Sequence, residues 1–183
     1  MRTLKARLLV ATPLLGDPSF ERTVVYMLEH GGSGALGVVL NRPTTLEVGE
    51  PLPAWRRFAG PPGVVFAGGP VSMSSVIGVA RAVAPMPTGA FEPVDGLVGV
   101  LDLTRDADEL AVAVGALRVF AGCAGWGPGQ LEGEIQTGSW YVVDAEPSDL
   151  FDPAPDGLWR AVLARQPGRL AQVARVPADL SLN

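Results

Sequence analysis

The chain has 183 residues, of which 48% are apolar and 18% charged, and its formal net charge at pH 7 is −5. This composition predicts a single globular domain over residues 1–183 and excludes a disordered chain, and no apolar run is long enough to span a bilayer. The negative charge disfavours direct nucleic-acid binding, which needs a basic face, although a local basic patch stays open as an alternative.

The N-terminal segment predicts a first β-strand rather than a signal peptide. Its basic start and apolar middle are typical of a signal peptide, but Pro13 breaks the apolar block and no convincing cleavage site precedes Asp17. We therefore interpret Arg7–Ala11 as a strand and expect a cytoplasmic protein. The single cysteine, Cys123, fits a reducing compartment and excludes a multi-thiolate zinc site.

A β-hairpin is the clearest local prediction in the N-terminal half. The runs Thr23–Leu28 and Leu36–Leu40 are β-branched, aromatic or apolar, and they flank a glycine-rich connection that begins at His30. Before the hairpin, Asp17 can cap one helical turn. Pro43 ends the hairpin, because proline cannot continue the hydrogen-bonded ladder.

Strands separated by proline-rich loops are predicted next. The expected strands are Val64–Ala67, Val76–Val83 and Leu97–Leu103. Residues 44–63 predict a covering loop anchored by Trp55 and Phe58, and residues 84–95 predict a second loop.

Two helices are expected in the second half of the chain. Thr104 or Asp106 would cap the first, over Ala107–Val114, whose small apolar side chains can lie close to a sheet. Asp156 would cap the second, which runs to about Arg165.

Between these helices, residues 117–145 predict a strand, a glycine-rich turn, a short helix and another strand. The two strands are Leu117–Ala121 and Trp140–Val143. Leu131 and Ile135 lie four residues apart, so they share one face of the short helix and pack it on a sheet.

The glycine-rich turn favours a structural role over a phosphate site. A helix that begins behind glycines offers free N–H groups, but no Lys-Ser or Lys-Thr pair follows this turn. Gln130 stands where a dinucleotide-binding pattern needs its third glycine. Glu132 and Glu134 also place negative charge in the first helical turns.

The overall prediction is an α+β fold with a mixed sheet. Strands outnumber helices, and hairpins are combined with helical crossovers. Residues 149–151 predict the start of a linker, and residues 166–183 predict a loosely held tail.

Several motifs, in order along about three quarters of the chain, resemble one family. The matching residues are Thr12-Pro13-Leu14, Asp17-Pro18-Ser19-Phe20, Arg22-Thr23-Val24, Glu29-His30, Gly34–Pro43, Phe66–Val71, Ala124–Glu132 and Trp140. By these motifs the chain is identified as a member of the AlgH/YqgE family of bacterial proteins.

This resemblance implies a fold and leaves the molecular function open. The implied fold is an α+β arrangement of mixed, bifurcated sheets around a small barrel-like core surrounded by helices. Some members are linked to transcriptional control, but the resemblance implies no specific DNA site. Cys123 stands where the family usually has tyrosine, so no family role is assigned to this thiol.

His30 is the only histidine, which limits nucleophilic catalysis. A Cys123–His30 dyad is conceivable, but we favour a histidine that hydrogen-bonds a loop. An acidic cluster, Asp102 to Glu109, suits a helix start better than a metal site, and no metal or cofactor is expected.

Asn41 and Arg42 are the most interesting polar pair. At a strand end they could hold a phosphate or carboxylate in a pocket shared with residues 125–130, the Trp126 loop. Alternatively they could lock the turn, which we favour. The full set of candidate ligand-binding residues is Glu29, His30, Asn41, Arg42, Gly68, Gly69, Gly125, Trp126, Gly127, Gly129 and Gln130.

The predicted function is non-enzymatic. No residue is assigned as catalytic, and we expect a regulatory protein that binds a small ligand or a protein partner. The alternative is a hydrolase or transferase that fixes a small anionic substrate with Asn41 and Arg42.

Overall fold

The structure is a computed structural model that describes residues 3–176. The strands are β1 Arg7–Ala11, β2 Val24–Gly31, β3 Gly34–Val39, β4 Pro43–Glu47, β5 Val64–Ala67, β6 Val71–Ala82, β7 Phe91–Asp95, β8 Val98–Leu101, β9 Val114–Trp126 and β10 Trp140–Asp144. The α-helices are α1 Gln130–Gln136, α2 Pro147–Leu150, α3 Leu158–Ala164 and α4 Arg169–Val173, and 3₁₀ helices cover Pro53–Phe58 and Pro155–Gly157.

A mostly antiparallel sheet organises the molecule. Its strand order is β10-β1-β2-β3-β9-β6-β8-β7, with every neighbouring pair antiparallel. The sheet curls into a half-barrel, and the Lys5 amine donates across its open side to the Pro93 carbonyl oxygen at 3.3 Å. The α+β fold expected from the sequence is confirmed.

The sheet divides in two at Gly122, in the middle of β9. One edge of β9 pairs in parallel with β5 up to Ala121 and then antiparallel with β3 from Ala124. Gly122 has a φ of +74°, and a Cβ added at Gly68 would lie 2.2 Å from the Gly122 carbonyl oxygen. Only glycine permits this approach of two backbones, so these glycines make the predicted bifurcation possible.

The two faces of β1–β3 pack into different cores because side chains alternate along each strand. On the inner face, Leu8 and Tyr26 belong to the core of the half-barrel, which α3 covers with Trp159. On the outer face, Leu9 and Met27 pack beneath α1. A third core lies under the 3₁₀ helix Pro53–Phe58; its members include Trp55, Leu110, Leu117 and Val119.

Two predicted loops contain regular structure. Residues 44–63 form most of β4 and a 3₁₀ helix, and β7 occupies the end of the segment 84–95. Trp55 is buried as predicted, and its indole N–H donates to the Leu103 carbonyl oxygen at 3.0 Å. The strand β4 pairs with the distant β5, which local composition does not reveal, whereas β7 forms a hairpin with the next strand, β8, through residues 96–97.

The helix predicted over Ala107–Val114 is wrong. The segment forms turns, and Val114 already begins β9, where it pairs with Ala82. Asp102 and Asp106 each accept a hydrogen bond from a backbone N–H two residues later, so they stabilise successive turns and do not cap a helix.

Smaller differences occur near the other helices. β9 continues through Gly122 and Gly125 to Trp126, so the predicted glycine-rich turn shrinks to residues 127–129. The predicted linker at 149–151 overlaps α2, and α3 is preceded by Gly157 without a side-chain cap from Asp156.

The C-terminal part is described as far as residue 176. The helix α4 lies in this segment, and its Leu170 and Val173 pack against the inner core. Residues 177–183, within the predicted loose tail, lie outside the described residues. No helix in the described part of the chain is both long enough and apolar enough to cross a membrane.

Candidate functional site

The Trp126 loop and α1 form a closed polar network around Glu134. The indole N–H groups of Trp126 and Trp140 donate to Glu134 Oε2 at 2.9 and 2.8 Å, and the Gln130 amide donates to Glu134 Oε1 at 2.9 Å. The Gly127 N–H in turn donates to Gln130 Oε1 at 3.0 Å. The polar groups of this loop therefore bind one another.

Aromatic packing holds the same network in place. The rings of Trp126 and Trp140 are 6.0 Å apart and nearly perpendicular, and Phe20 contacts both at 6.3 and 5.5 Å. Gly129 adopts a φ of +73° immediately before α1, which explains a glycine at that position. These contacts indicate a structural role for the Trp126 loop, as the sequence favoured.

His30 is fixed by two neighbours on the outer face. Its Nδ1 accepts the Leu4 N–H at 3.1 Å, and Nε2 lies 3.0 Å from Glu132 Oε1. Because Nδ1 is an acceptor, the ring hydrogen sits on Nε2 and donates to the carboxylate. The ring is almost fully buried, at 3% exposure.

The conceivable Cys123–His30 dyad does not form. Cys123 belongs to the inner core, whereas His30 contacts α1 on the outer face of the sheet. Burial raises the pKa of the Cys123 thiol, which disfavours the reactive thiolate. Across residues 3–176, no group of three His, Cys, Asp or Glu side chains could hold a metal ion.

Asn41 and Arg42 hold the beginning of β2. The buried Asn41 side chain accepts the Val24 N–H at 2.9 Å and donates to the Arg22 carbonyl oxygen at 2.8 Å. Arg42 donates to the Glu21 carbonyl oxygen. Ala35, near the start of β3, pairs with Trp126, whereas Asn41 lies beyond the other end of β3.

The other predicted candidates lie in two further places. Gly68 and Gly69 pack against Gly122 and Cys123 at the sheet branch, and Gly125 lies within β9. Glu29 lines a small cavity of about 120 Å³ inside the half-barrel, beside Lys5. The structure thus distributes the candidate residues over several regions, and a shared ligand pocket for them stays a prediction.

A larger cleft opens on the inner face of the half-barrel, away from the Trp126 loop. Its volume is about 350 Å³, and its walls come from β2, β6, β7, β8 and the segment leading into α2. Its lining includes Tyr26, Arg81, Asp95, Val98, Ala145 and Leu150. Ligand sites occupy such mostly apolar concavities, and the mouths of β-barrels are a common place for them.

Three charged side chains surround this cleft. Glu146 is engaged by Arg165, whose Nε lies 3.4 Å from Glu146 Oε1. Arg81 and Asp95 have exposed surface and form no side-chain hydrogen bond or ion pair within residues 3–176. Burial, aided by the negative charge of Asp95, raises the pKa of Tyr26 to about 12, so its phenol stays neutral.

Sequence reasoning missed the cleft residues. In the sequence, Tyr26 looks like an ordinary aromatic residue of a strand, and Arg81 looks like a solvent-exposed charge at the end of an apolar strand. Asp95 falls in a segment interpreted as a loop. The available signal was weak. Each of two strands carries a charged residue at or next to its end, and this becomes informative only when both strands are known to pair with β8.

A family model described as AlgH-like matches residues 8–171, a range that includes the cleft residues Tyr26, Arg81 and Asp95. The chain belongs to the AlgH-like family. A UPF0301 protein of Streptomyces coelicolor is 55% identical over 189 residues, which cover 99% of this chain and 96% of that protein. A UPF0301 protein of Streptomyces avermitilis is 53% identical over 186 residues, with coverage of 99% and 96%.

Solved structures of similar proteins have the same fold as this AlgH-like chain. A crystal structure of a Corynebacterium diphtheriae protein matches with a TM-score of 0.89 and 30% identity, covering 96% of this chain and 93% of that one. The solution structure of AlgH from Pseudomonas aeruginosa matches with a TM-score of 0.72 and 29% identity, covering 96% and 95%. The family resemblance stated from the sequence motifs is confirmed.

Proposed function

We propose that this AlgH-like protein binds a small ligand in the cleft of the half-barrel and acts as a non-enzymatic regulatory protein of the cytoplasm. The observation that carries the proposal is the cleft of about 350 Å³, in which the side chains of Arg81 and Asp95 bind no other side chain within residues 3–176. Its volume lies at the small end of the range typical of ligand sites, which favours a metabolite over a large cofactor.

The chemistry of the cleft supports binding. Val98 and Leu150 give it apolar walls, and Tyr26 contributes a neutral phenol. A few polar groups among apolar walls orient a small ligand, while the apolar surface supplies the hydrophobic contribution to affinity.

The arrangement gives little support to nucleophilic catalysis. Cys123 and His30 lie on opposite faces of the sheet, and the His30 ring nitrogens are used by Leu4 and Glu132. A regulatory protein needs only that ligand binding favours one state of the chain or of a complex with its partner.

The test is a thermal-shift screen of purified protein with nucleotides, phosphorylated metabolites, amino acids and short carboxylic acids. Ala145→Phe would fill the cleft, and Val112→Phe, at a position 84% exposed, is the matched control. We expect at least one compound to raise the Tm of the wild type and of Val112→Phe, but not of Ala145→Phe.

Three results would contradict parts of this proposal. If no compound raises the Tm, or if Ala145→Phe responds as the wild type does, the cleft is not the ligand site. If a stabilising compound is chemically consumed, the protein is a hydrolase or transferase and the non-enzymatic proposal is wrong.

A further inference from the structure

Arg81 and Asp95 occupy one row of the sheet. Val98 of β8 pairs with Arg81 of β6 on one side and with Asp95 of β7 on the other. Paired residues point to the same face of a sheet, and Val98 belongs to the inner core. Since neighbouring strands lie about 4.8 Å apart, the two charged residues have backbones about 10 Å apart across the cleft wall.

A β-bulge gives Asp95 its direction. The register of β7 shifts between Pro93 and Asp95, so one extra residue is inserted there. Val94 packs against the inner core while Asp95 lines the cleft. Bulges commonly re-aim a side chain next to a functional site.

The two opposite charges do not neutralise each other. No salt bridge joins Arg81 to Asp95 in the described part of the chain, although both line the same cavity. The third charge at the cleft, on Glu146, is already engaged by Arg165. One cationic and one anionic group are therefore available to a ligand.

We propose that the ligand is a zwitterion, an α-amino acid with an apolar side chain, whose carboxylate binds Arg81 and whose ammonium group binds Asp95. This inference rests on the proposed ligand-binding function of the cleft. The guanidinium matches a carboxylate with two parallel donors, and its long side chain spans most of the distance to Asp95. The apolar side chain of the ligand packs against Val98, Leu150 and the ring of Tyr26.

Three probes with the same apolar group test the proposal: phenylalanine, 3-phenylpropionate, which lacks the ammonium group, and phenethylamine, which lacks the carboxylate. Affinity is measured by calorimetry, and the site is located from NMR shifts of the cleft residues. A charge-assisted hydrogen bond contributes about 1.5–3 kcal/mol, which is about tenfold or more in affinity. We expect phenylalanine to bind at least about tenfold more tightly than either analogue.

Two variants assign each charge to its partner. Arg81→Gln should weaken phenylalanine about tenfold or more and leave phenethylamine unchanged, whereas Asp95→Asn should weaken phenylalanine and leave 3-phenylpropionate unchanged. The exposed residues Arg56 and Glu109 lie outside the cleft, so Arg56→Gln and Glu109→Gln are charge-matched controls and should bind all three probes as the wild type does.

The outcomes separate this inference from the function on which it rests. Equal affinity for phenylalanine and either analogue, or wild-type binding by both cleft variants, overturns the zwitterion and leaves cleft binding intact. If the only compounds of the screen that bind are not α-amino acids, the zwitterion is again wrong. If no compound binds at all, both proposals fail.

Discussion

The outer and inner faces of the curled sheet use their polar groups in opposite ways. On the outer face, Glu134 accepts three side-chain donors and His30 is bonded at both ring nitrogens. On the inner face, Arg81 and Asp95 line a cavity without binding each other. The glycines and tryptophans that stand out in the sequence therefore belong to a structural network, whereas strand residues that do not stand out line the cavity.

The physical basis is the satisfaction of hydrogen-bonding groups. A donor or acceptor that is already bonded inside the protein must break that bond before it can bind a ligand, whereas a solvated group facing a cavity exchanges only water. Variants on the two faces should therefore differ in kind: stability should change on the outer face, and ligand affinity on the inner one.

The largest effect is expected at Glu134. Glu134→Ala leaves the indole N–H groups of Trp126 and Trp140 and the Gln130 amide without their acceptor. Each unsatisfied donor costs about 1–3 kcal/mol, so the free energy of unfolding in urea should fall by about 3 kcal/mol or more. Glu109→Ala, at an exposed position, should change it by less than about 0.5 kcal/mol. A loss below about 1 kcal/mol for Glu134→Ala would contradict the structural role of the network.

A smaller loss of stability is expected at Asn41. Asn41→Ala removes both hydrogen bonds that fix the start of β2, so the free energy of unfolding should fall by about 2 kcal/mol. The exposed neighbour Thr45 provides the control, Thr45→Ala. Phenylalanine affinity of the folded Asn41→Ala protein should match the wild type, and a selective loss of affinity would instead make Asn41 a ligand-binding residue.

On the inner face, Tyr26 is buried in the core and also lines the cleft. Its pKa in the folded chain is raised from 10.0 to about 12. The unfolded chain therefore releases this proton first, so the contribution of Tyr26 to stability decreases as the pH rises from about 10 to about 12. Unfolding midpoints of the wild type should fall more steeply with pH in this range than those of Tyr26→Phe. Parallel slopes would show that Tyr26 ionises in the folded chain as it does in the unfolded one.

The smallest effect on stability is expected at the cleft charges. Arg81→Gln and Asp95→Asn break no side-chain bond within residues 3–176, so each should change the free energy of unfolding by less than about 0.5 kcal/mol. The measurement is urea denaturation without added ligand. A loss above about 1.5 kcal/mol would mean that these side chains stabilise the fold, and the contrast between the two faces would disappear.

Much of the fold was predictable because its strands carry strong local patterns. The hairpin of β2 and β3, the strands β1, β5, β8 and β10, and the helix α1 follow from runs of β-branched and apolar residues broken by glycine or proline. The helix expected over Ala107–Val114 failed, because Asp102 and Asp106 stabilise turns and long-range pairing draws Val114 into β9.

The candidate site was predictable only in part. The preference for structural roles of His30, Asn41 and the Trp126 loop agrees with the hydrogen bonds of each group. Their partners could not be named in advance, because Glu132 lies 102 residues from His30 and Val24 lies 17 residues from Asn41. Sequence spacing alone does not predict contacts of that kind.

The sequence by itself determined the family, the α+β class and the absence of an intramolecular disulfide, because these depend on motif order, strand patterning and the count of one residue type. Only the tertiary structure decided where the cleft lies. Tyr26, Arg81 and Asp95 belong to three separate strands, and the pairing of β6 and β7 with Val98 brings the two charges into one row. Strand register is set by the packing of whole faces, and that information is spread over the entire chain.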